Sequence, residues 1–129
     1  MKLTYFALLA ATAAVLVCAS SAMARSFPTT ITHDGSVALG TTGISVDSGR
    51  VRSPKPFCQL FRIVKLVGHY PNGTTKLLDV DFTSAMGAWG TKGNLTGVDR
   101  AKAVATRSSF GRHGHRKVCR PASVVFSVP

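Results

Sequence analysis

The residues best suited to chemistry lie near the C-terminus, in the segment 112–117, which reads RHGHRK. In an extended chain His113 and His115 would project from one face, a spacing at which two imidazoles can bind Cu²⁺, Ni²⁺ or Zn²⁺. The neighbouring cations would repel a metal ion and favour contact with phosphate, sulfate or carboxylate instead. The pattern favours an anion site over a metal site, and a solvated basic loop without a ligand is the simplest interpretation. The candidate anion-binding residues are Arg112, His113, His115, Arg116 and Lys117.

A second candidate is the pair of carboxylates in Asp79-Val80-Asp81. On a strand they would share one face, as a weak Ca²⁺ site or an acid–base pair requires. Alternating acidic residues are also common on the solvent side of a hairpin, where Lys76 on the same strand can screen them. The second interpretation is the simpler one.

The single tryptophan, Trp89, lies in a glycine-rich stretch. It could form an exposed stacking platform for a sugar or a base. A lone tryptophan in a small β-domain more often anchors the core, and we expect that role here.

Motifs of the common enzyme classes are missing. The chain has no Glu, no G-x-S-x-G and no H-E-x-x-H. The best enzyme candidate is a small secreted nuclease, in which His113 or His115 would work with His33 or His69 as acid and base. We expect a non-enzymatic domain without catalytic residues, a metal or a cofactor.

The N-terminal residues have the pattern of a secretory signal peptide. Lys2 provides the positive start, 7–17 is uncharged and apolar, and Ala22-Met23-Ala24 forms an A-x-A cleavage site. The apolar stretch is too short for a transmembrane helix, which needs about 20 residues. The sequence therefore predicts a signal peptide at 1–24 and a single secreted β-domain at 25–129, soluble in the periplasm or outside the cell.

Export determines how the cysteines are interpreted. Removal of Cys18 with the leader leaves Cys58 and Cys119, which predict a disulfide in an oxidising compartment. It would close a loop of about 60 residues and stabilise the fold by roughly 4 kcal/mol. A Cys/His metal site would need more thiols at closer spacing, and a lipid anchor on Cys18 would need a small residue in place of Val17.

Charge is the strongest indication of a partner. From residue 25 onward the chain has 15 Lys and Arg against five Asp, a net charge of +10. Such a surface attracts an anionic polymer or cell-surface component, such as nucleic acid, lipopolysaccharide, teichoic acid or acidic polysaccharide. The charge could also serve solubility alone. The leading hypothesis is binding to an anionic surface or polymer, and the alternative is binding to a partner protein as an inhibitor, adhesin or effector.

Frequent Gly and Pro predict an all-β fold built from short strands. An extended arm at 25–32 precedes two strands, 36–39 and 43–48, around a turn, and a connector follows at 50–56. Apolar residues on both faces of 57–70 predict a central strand covered on both sides. Pro71-Asn72-Gly73 predicts a hairpin turn, and in the return strand 74–82 we expect Leu78, Val80 and Phe82 to point inward.

The C-terminal half is less regular. Gly93-Asn94 is a possible hairpin turn, and 97–107 fits either a short helix or a strand. A basic loop at 110–117 leads to a final strand at 118–128, which Pro121 would interrupt. These patterns predict a small antiparallel β-sandwich, immunoglobulin-like in its cysteine separation, or a barrel. Two immunoglobulin hallmarks are missing, because Trp89 lies far beyond Cys58 and Lys117 occupies the tyrosine-corner position.

Overall fold

The computed structural model describes residues 24–112 and 114–129, and this part of the chain is built from strands. Its only helical segment is a single 3-10 turn at Pro56–Cys58. The predicted leader, with Ala22 and Cys18, lies outside the described residues apart from the exposed Ala24. The strands are β1 (Arg25–Phe27), β2 (Thr30–Ala38), β3 (Ile44–Arg52), β4 (Ile63–His69), β5 (Thr75–Phe82), β6 (Ala88–Asn94), β7 (Arg100–Ala105), β8 (Ser108–Phe110), β9 (Lys117–Cys119) and β10 (Ala122–Ser127).

The strands form three sheets, in the orders β2-β3-β6, β10-β7-β4-β5 and β1-β9-β8. All pairs are antiparallel except β1 with β9, which is parallel. The first two sheets pack face to face and enclose the core. The prediction of an all-β sandwich is confirmed, and across the described residues the sheets do not close into a barrel.

The core forms where the inward residues of the two large sheets meet. Alternation along β7 points Ala101, Ala103 and Ala105 inward, each fully buried. These small side chains leave space for Trp89, which is 3% exposed and donates its indole N–H to the Thr32 carbonyl at 3.2 Å. Trp89 is therefore a core anchor, as expected, and not an exposed platform.

The strand predicted at 57–70 is shorter than expected. Residues 56–58 form the 3-10 turn, and β4 begins only at Ile63. The strand is central, between β7 and β5, but it is not covered on both sides. Val64 and Leu66 are fully buried, whereas Ile63 and Lys65 are exposed on the outer face. The prediction of a strand covered on both sides was therefore wrong.

The hairpin from β4 to β5 is confirmed, but the predicted faces of β5 are wrong. A register shift opposite Leu66 and Val67 inserts an extra residue in β5, because Leu66 pairs with Asp79 while Val67 pairs with Leu77. Leu78 packs on the core, and beyond it the alternation is reversed. Val80 and Phe82 are consequently 43% and 61% exposed. A β-bulge moves every later side chain to the opposite face.

The structure also decides the remaining predictions about where strands and turns begin and end. The segment 97–107 contains β7 and no helix, and 93–94 ends β6 rather than forming its turn. The residues 50–52 extend β3 instead of belonging to a connector. The turn at 40–42 between β2 and β3 is confirmed, and the predicted final strand is divided at Arg120–Pro121 into β9 and β10.

Cys58 and Cys119 form the predicted disulfide, with their Cα atoms 5.4 Å apart. Both residues are fully buried. The bond links the 3-10 turn to β9 and thereby attaches the small sheet to the sandwich. Among the described residues no helix is long and apolar enough to cross a membrane.

Arg62 is buried beside the disulfide, with 1% of its surface exposed. Its guanidinium donates to the carbonyls of Cys58 at 2.9 Å, Thr106 at 2.6 and 3.2 Å, and Arg120 at 2.9 Å, and to the Thr29 hydroxyl at 3.1 Å. These contacts use all five N–H donors of an arginine. Burial lowers the pKa of Arg62, yet a guanidinium remains charged at neutral pH.

Gly49 lies where two backbones approach, so a methyl group there should disrupt the sandwich. A Cβ at Gly49 would lie 1.8 Å from the Thr32 carbonyl oxygen and 2.8 Å from the Trp89 ring. We expect Gly49→Ala to lower the free energy of unfolding by about 3 kcal/mol, as measured by urea denaturation. Gly90→Ala is the matched control, because its Cβ would meet nothing closer than 3.9 Å. Equal stability of the two variants would contradict the prediction.

Arg62→Lys should destabilise the fold although it keeps the positive charge. An ammonium has three donors in place of five, so at least two charge-assisted hydrogen bonds are lost, each contributing about 1.5–3 kcal/mol. We expect unfolding to become easier by roughly 3 kcal/mol or more in the same urea assay. The exposed Arg107→Lys should remain within about 0.5 kcal/mol of the wild type. A comparably small effect at Arg62 would show that its network contributes little.

Candidate functional site

The predicted basic loop lies between β8 and β9. Gly111 and Gly114 have φ values of 107° and 91°, so the backbone turns at both positions, and the His115 N–H donates to the Arg112 carbonyl at 2.8 Å. Arg112, His115 and Arg116 are all exposed. His113 lies outside the described residues. The loop therefore holds its remaining candidate residues in solvent.

Part of this loop borders a concave site that sequence reasoning did not identify as such. The cavity has a volume of about 280 Å³ and is lined by Arg25, Gly114, His115, Arg116 and Lys117. Arg25 enters because β1 pairs in parallel with β9, and its N–H donates to the Arg116 carbonyl at 3.0 Å. Of the five candidates, His115, Arg116 and Lys117 line the cavity and Arg112 does not. No local motif marks Arg25, because a long-range strand pairing brings it there.

Lys117 is held over an aromatic ring at the base of the loop. Its Nζ atom lies 5.0 Å from the centroid of the Phe57 ring, within the range of a cation–π contact. Phe57 in turn makes edge-to-face contacts with Phe27 and Phe110, with centroids 5.3 and 5.0 Å away. This aromatic cluster therefore orients the ammonium group of Lys117, one of the residues that line the cavity.

A second basic concavity lies at the end of β3 and has a volume of about 600 Å³. Arg50 and Arg52 are exposed on one face of the strand, because Val51 between them is fully buried. The walls are fixed by hydrogen bonds from the Ser53 hydroxyl to the Pro28 carbonyl and from the Gln59 amide to the Ser53 carbonyl, at 2.9 and 2.7 Å. The lining residues are Pro28, Thr30, Arg50, Arg52, Ser53, Pro54, Gln59 and Met86. Two neighbouring guanidinium groups can each bind an oxyanion through paired N–H donors.

The carboxylates are engaged elsewhere in the fold. Asp79 accepts a hydrogen bond from the Lys92 backbone N–H at 2.7 Å, and Asp81 accepts one from Gly90 at 2.8 Å. Both groups thus cap amides of β6 along the seam between the two large sheets. The prediction that this pair faces solvent was therefore wrong, because each carboxylate accepts a hydrogen bond from β6.

Asp47 is fully buried and bonded to His33. The His33 Nε2 atom lies 3.0 Å from Asp47 Oδ1, and this is the only acid–base pair within 4.0 Å among the described residues. None of the 15 Lys and Arg residues from Arg25 onward therefore has a carboxylate partner at that distance.

Ser36, His33 and Asp47 have the residue types of a catalytic triad but not its geometry. The Ser36 hydroxyl donates directly to Asp47 Oδ1 and also lies 3.0 Å from His33 Nε2. A triad needs one imidazole nitrogen on the serine and the other on the aspartate. Here Nε2 contacts both groups, and the ring of His33 stacks on Phe126 with centroids 3.7 Å apart. The cluster cross-links β2 and β3 inside the sandwich.

The histidines considered for a nuclease lie on different elements. His33 is in β2 within the sandwich, His69 ends β4, and His115 is in the loop before β9. The described residues contain no group of three or more His, Cys, Asp or Glu side chains that could hold a metal ion.

Comparisons with protein-family models, with curated proteins and with solved structures find no match to this chain. The chemistry of the two basic concavities is therefore the basis for assigning a role to the molecule.

Proposed function

We propose that the chain is a secreted, non-enzymatic binding domain that contacts an anionic surface or polymer. The observation that carries the proposal is the absence of carboxylate partners around the Lys and Arg side chains in the described part of the chain. A cation without an internal partner remains available to an external anion, and the 14 that remain besides the buried Arg62 act together through their summed potential.

The few acidic groups do not cancel this field where the cations lie. Asp47 is buried, and Asp79 and Asp81 are bonded to backbone amides of β6. Only Asp34 and Asp99 are exposed. Since attraction between exposed charges is screened by salt, binding to a polyanion should weaken steeply as ionic strength rises.

The cavity beside the basic loop is the proposed primary contact. Arg25 comes from β1, Lys117 from the paired strand β9 and Arg116 from the loop between β8 and β9, and His115 also lines the cavity. Guanidinium groups bind sulfate, phosphate and carboxylate with charge-assisted hydrogen bonds. The groove with Arg50 and Arg52 provides a second contact, so an extended polymer could engage both.

Secretion is supported by two independent features. The N-terminal residues have the charge and apolar pattern of a signal peptide. The structured part contains a fully buried disulfide, a bond that persists mainly in oxidising compartments. Anionic polymers and surfaces are abundant in such compartments, so the location and the charge are consistent with each other.

Removing two cations from the primary cavity should weaken binding to a linear polyanion. We expect Arg25→Gln/Arg116→Gln to reduce the slope of log affinity against log salt by about 2, since each lost contact contributes roughly 0.9 on a duplex polyanion. The measurement is a titration of heparin oligosaccharide at several NaCl concentrations with protein lacking residues 1–24.

The matched control is Lys76→Gln/Arg107→Gln, which removes the same charge from exposed positions outside both basic concavities. Its salt slope should stay close to that of the wild type. Equal losses in both double variants would show diffuse attraction without a preferred cavity. Absence of any salt-sensitive binding by the wild type at low ionic strength would refute the proposed function.

A further inference from the structure

In the described part of the chain, the outer face of the sheet β10-β7-β4-β5 carries exposed side chains of both apolar and cationic residues. On β4, the fully buried Val64 and Leu66 alternate with Ile63, Lys65 and Val67, which therefore point away from the core. The same alternation on β7 turns its odd-numbered alanines inward and its even-numbered residues outward. This face mixes apolar and cationic residues.

The strand register places Lys65 between two valines. On one side Lys65 pairs with Val80 of β5, which is 43% exposed, and on the other with Val104 of β7. Directly paired side chains on one face of antiparallel strands lie about 5 Å apart at Cβ. The lysine stem is therefore flanked by apolar surface on both neighbouring strands.

The next row of paired residues across the sheet has the same arrangement, but here the lysine lies on β7 and the valines lie on β4 and β10. Lys102 of β7 pairs with Val67 of β4 and with Val125 of β10, which is 53% exposed. Leu77 of β5, 52% exposed, extends the row beyond Val67. Each lysine of this face thus lies among aliphatic side chains and not within a separate charged patch.

Two exposed aromatic residues lie at one end of β4 and β5, where the Phe61 N–H donates to the Thr83 carbonyl next to Phe82. Phe82 pairs with Ile63 and is 61% exposed. Phe61, two residues before Ile63, is 72% exposed and has a φ of 49°. A left-handed backbone is unfavourable for a bulky residue, and such strain is concentrated at functional positions. Large apolar groups held in solvent in this way indicate a surface for interaction.

The outward positions of these four strands carry no carboxylate. Asp79 and Asp81, the acidic residues of β5, are bonded to amides of β6. Arg100 adds a third outward cation on β7. The outward positions of these strands are therefore apolar and positively charged, so their complement is apolar and negatively charged.

We propose that this sheet face docks onto an anionic lipid bilayer, an inference that rests on the proposed function and specifies the anionic surface. At a bilayer, aromatic and aliphatic groups enter the region between headgroups and acyl chains while lysine stems extend their ammonium groups to the lipid phosphates. A second copy of the chain would bring like charges together, and lysine is depleted in protein–protein interfaces. The lysines between the apolar residues consequently favour a membrane over a second copy of the chain or another protein.

The apolar contribution is tested by flotation with phosphatidylcholine vesicles that do or do not contain one third phosphatidylglycerol. The wild type should bind the anionic vesicles at least about tenfold more tightly than the neutral ones. Phe82→Ser and Phe61→Asn should each weaken that binding about tenfold, since each removes an aromatic group that the bilayer would bury. Asn accepts the left-handed backbone at position 61. The control is Val37→Ser on β2, an apolar residue 62% exposed on the other sheet, which should bind like the wild type.

The cationic contribution is tested with Lys65→Gln/Lys102→Gln. This variant should lose about thirtyfold in affinity for the anionic vesicles and little for neutral ones. Lys76→Gln/Lys92→Gln removes the same charge from exposed positions outside this face and outside both basic concavities, and it should retain most of the vesicle affinity. A wild-type unfolding transition in each variant confirms that a loss reflects the surface.

Several outcomes would overturn the inference. These are equal binding to neutral and anionic vesicles, equal losses in the sheet-face and control variants, or a dimer in lipid-free solution that Phe82→Ser dissociates. Heparin binding without vesicle binding would reject the membrane surface and leave the proposed function intact. Absence of both heparin binding and vesicle binding would reject the membrane surface and the proposed function together.

Discussion

A buried charge with no carboxylate partner imposes the strictest constraint on this fold. Arg62 is desolvated, and its guanidinium is satisfied only by neutral acceptors on Thr29, Cys58, Thr106 and Arg120. These residues belong to four separate segments, so the charge is compensated only when all four are in place. An uncompensated buried charge is strongly destabilising. The network therefore ties the arm before β2, the 3-10 turn, the end of β7 and the link between β9 and β10 to one another.

The same constraint accounts for the unusual backbone beside it. The Arg62 N–H donates to the Thr83 hydroxyl at 2.7 Å, and Thr83 donates from its own N–H to the Arg62 carbonyl at 2.8 Å. With Arg62 anchored inward on both sides, the chain enters β4 through a left-handed residue, and Phe61 is left pointing into solvent. The disulfide between Cys58 and Cys119 fixes the 3-10 turn that precedes Phe61. The exposure of Phe61 is thus a consequence of how the interior is held together.

Local patterns were sufficient for some of this architecture and insufficient for the rest. The all-β class, the disulfide and the hairpin after β4 follow from turn residues, cysteine pairing and strand composition. The orientation of Phe82 does not, because a bulge opposite Leu66 reverses the alternation and no residue in β5 signals it. Arg25 joins the basic cavity only through parallel pairing with β9, a contact between distant parts of the chain. The role of Arg62 does not follow from the sequence either, because its acceptors are three backbone carbonyls and one hydroxyl that only the fold brings together.

The distribution of the few carboxylates connects the fold to its charge. Asp79 and Asp81 occupy amides of β6 that a neighbouring strand would otherwise bind, so β5 and β6 meet through side chains instead of a backbone ladder. These two hydrogen bonds give partners to backbone amides on the edge of β6, and the two large sheets remain separate. It also withdraws both carboxylates from the outer face where Lys65 and Lys102 lie. A chain with so few acidic residues that uses them as structural acceptors leaves its cations to an external partner, and the surface potential is therefore a product of the way the sheets are joined.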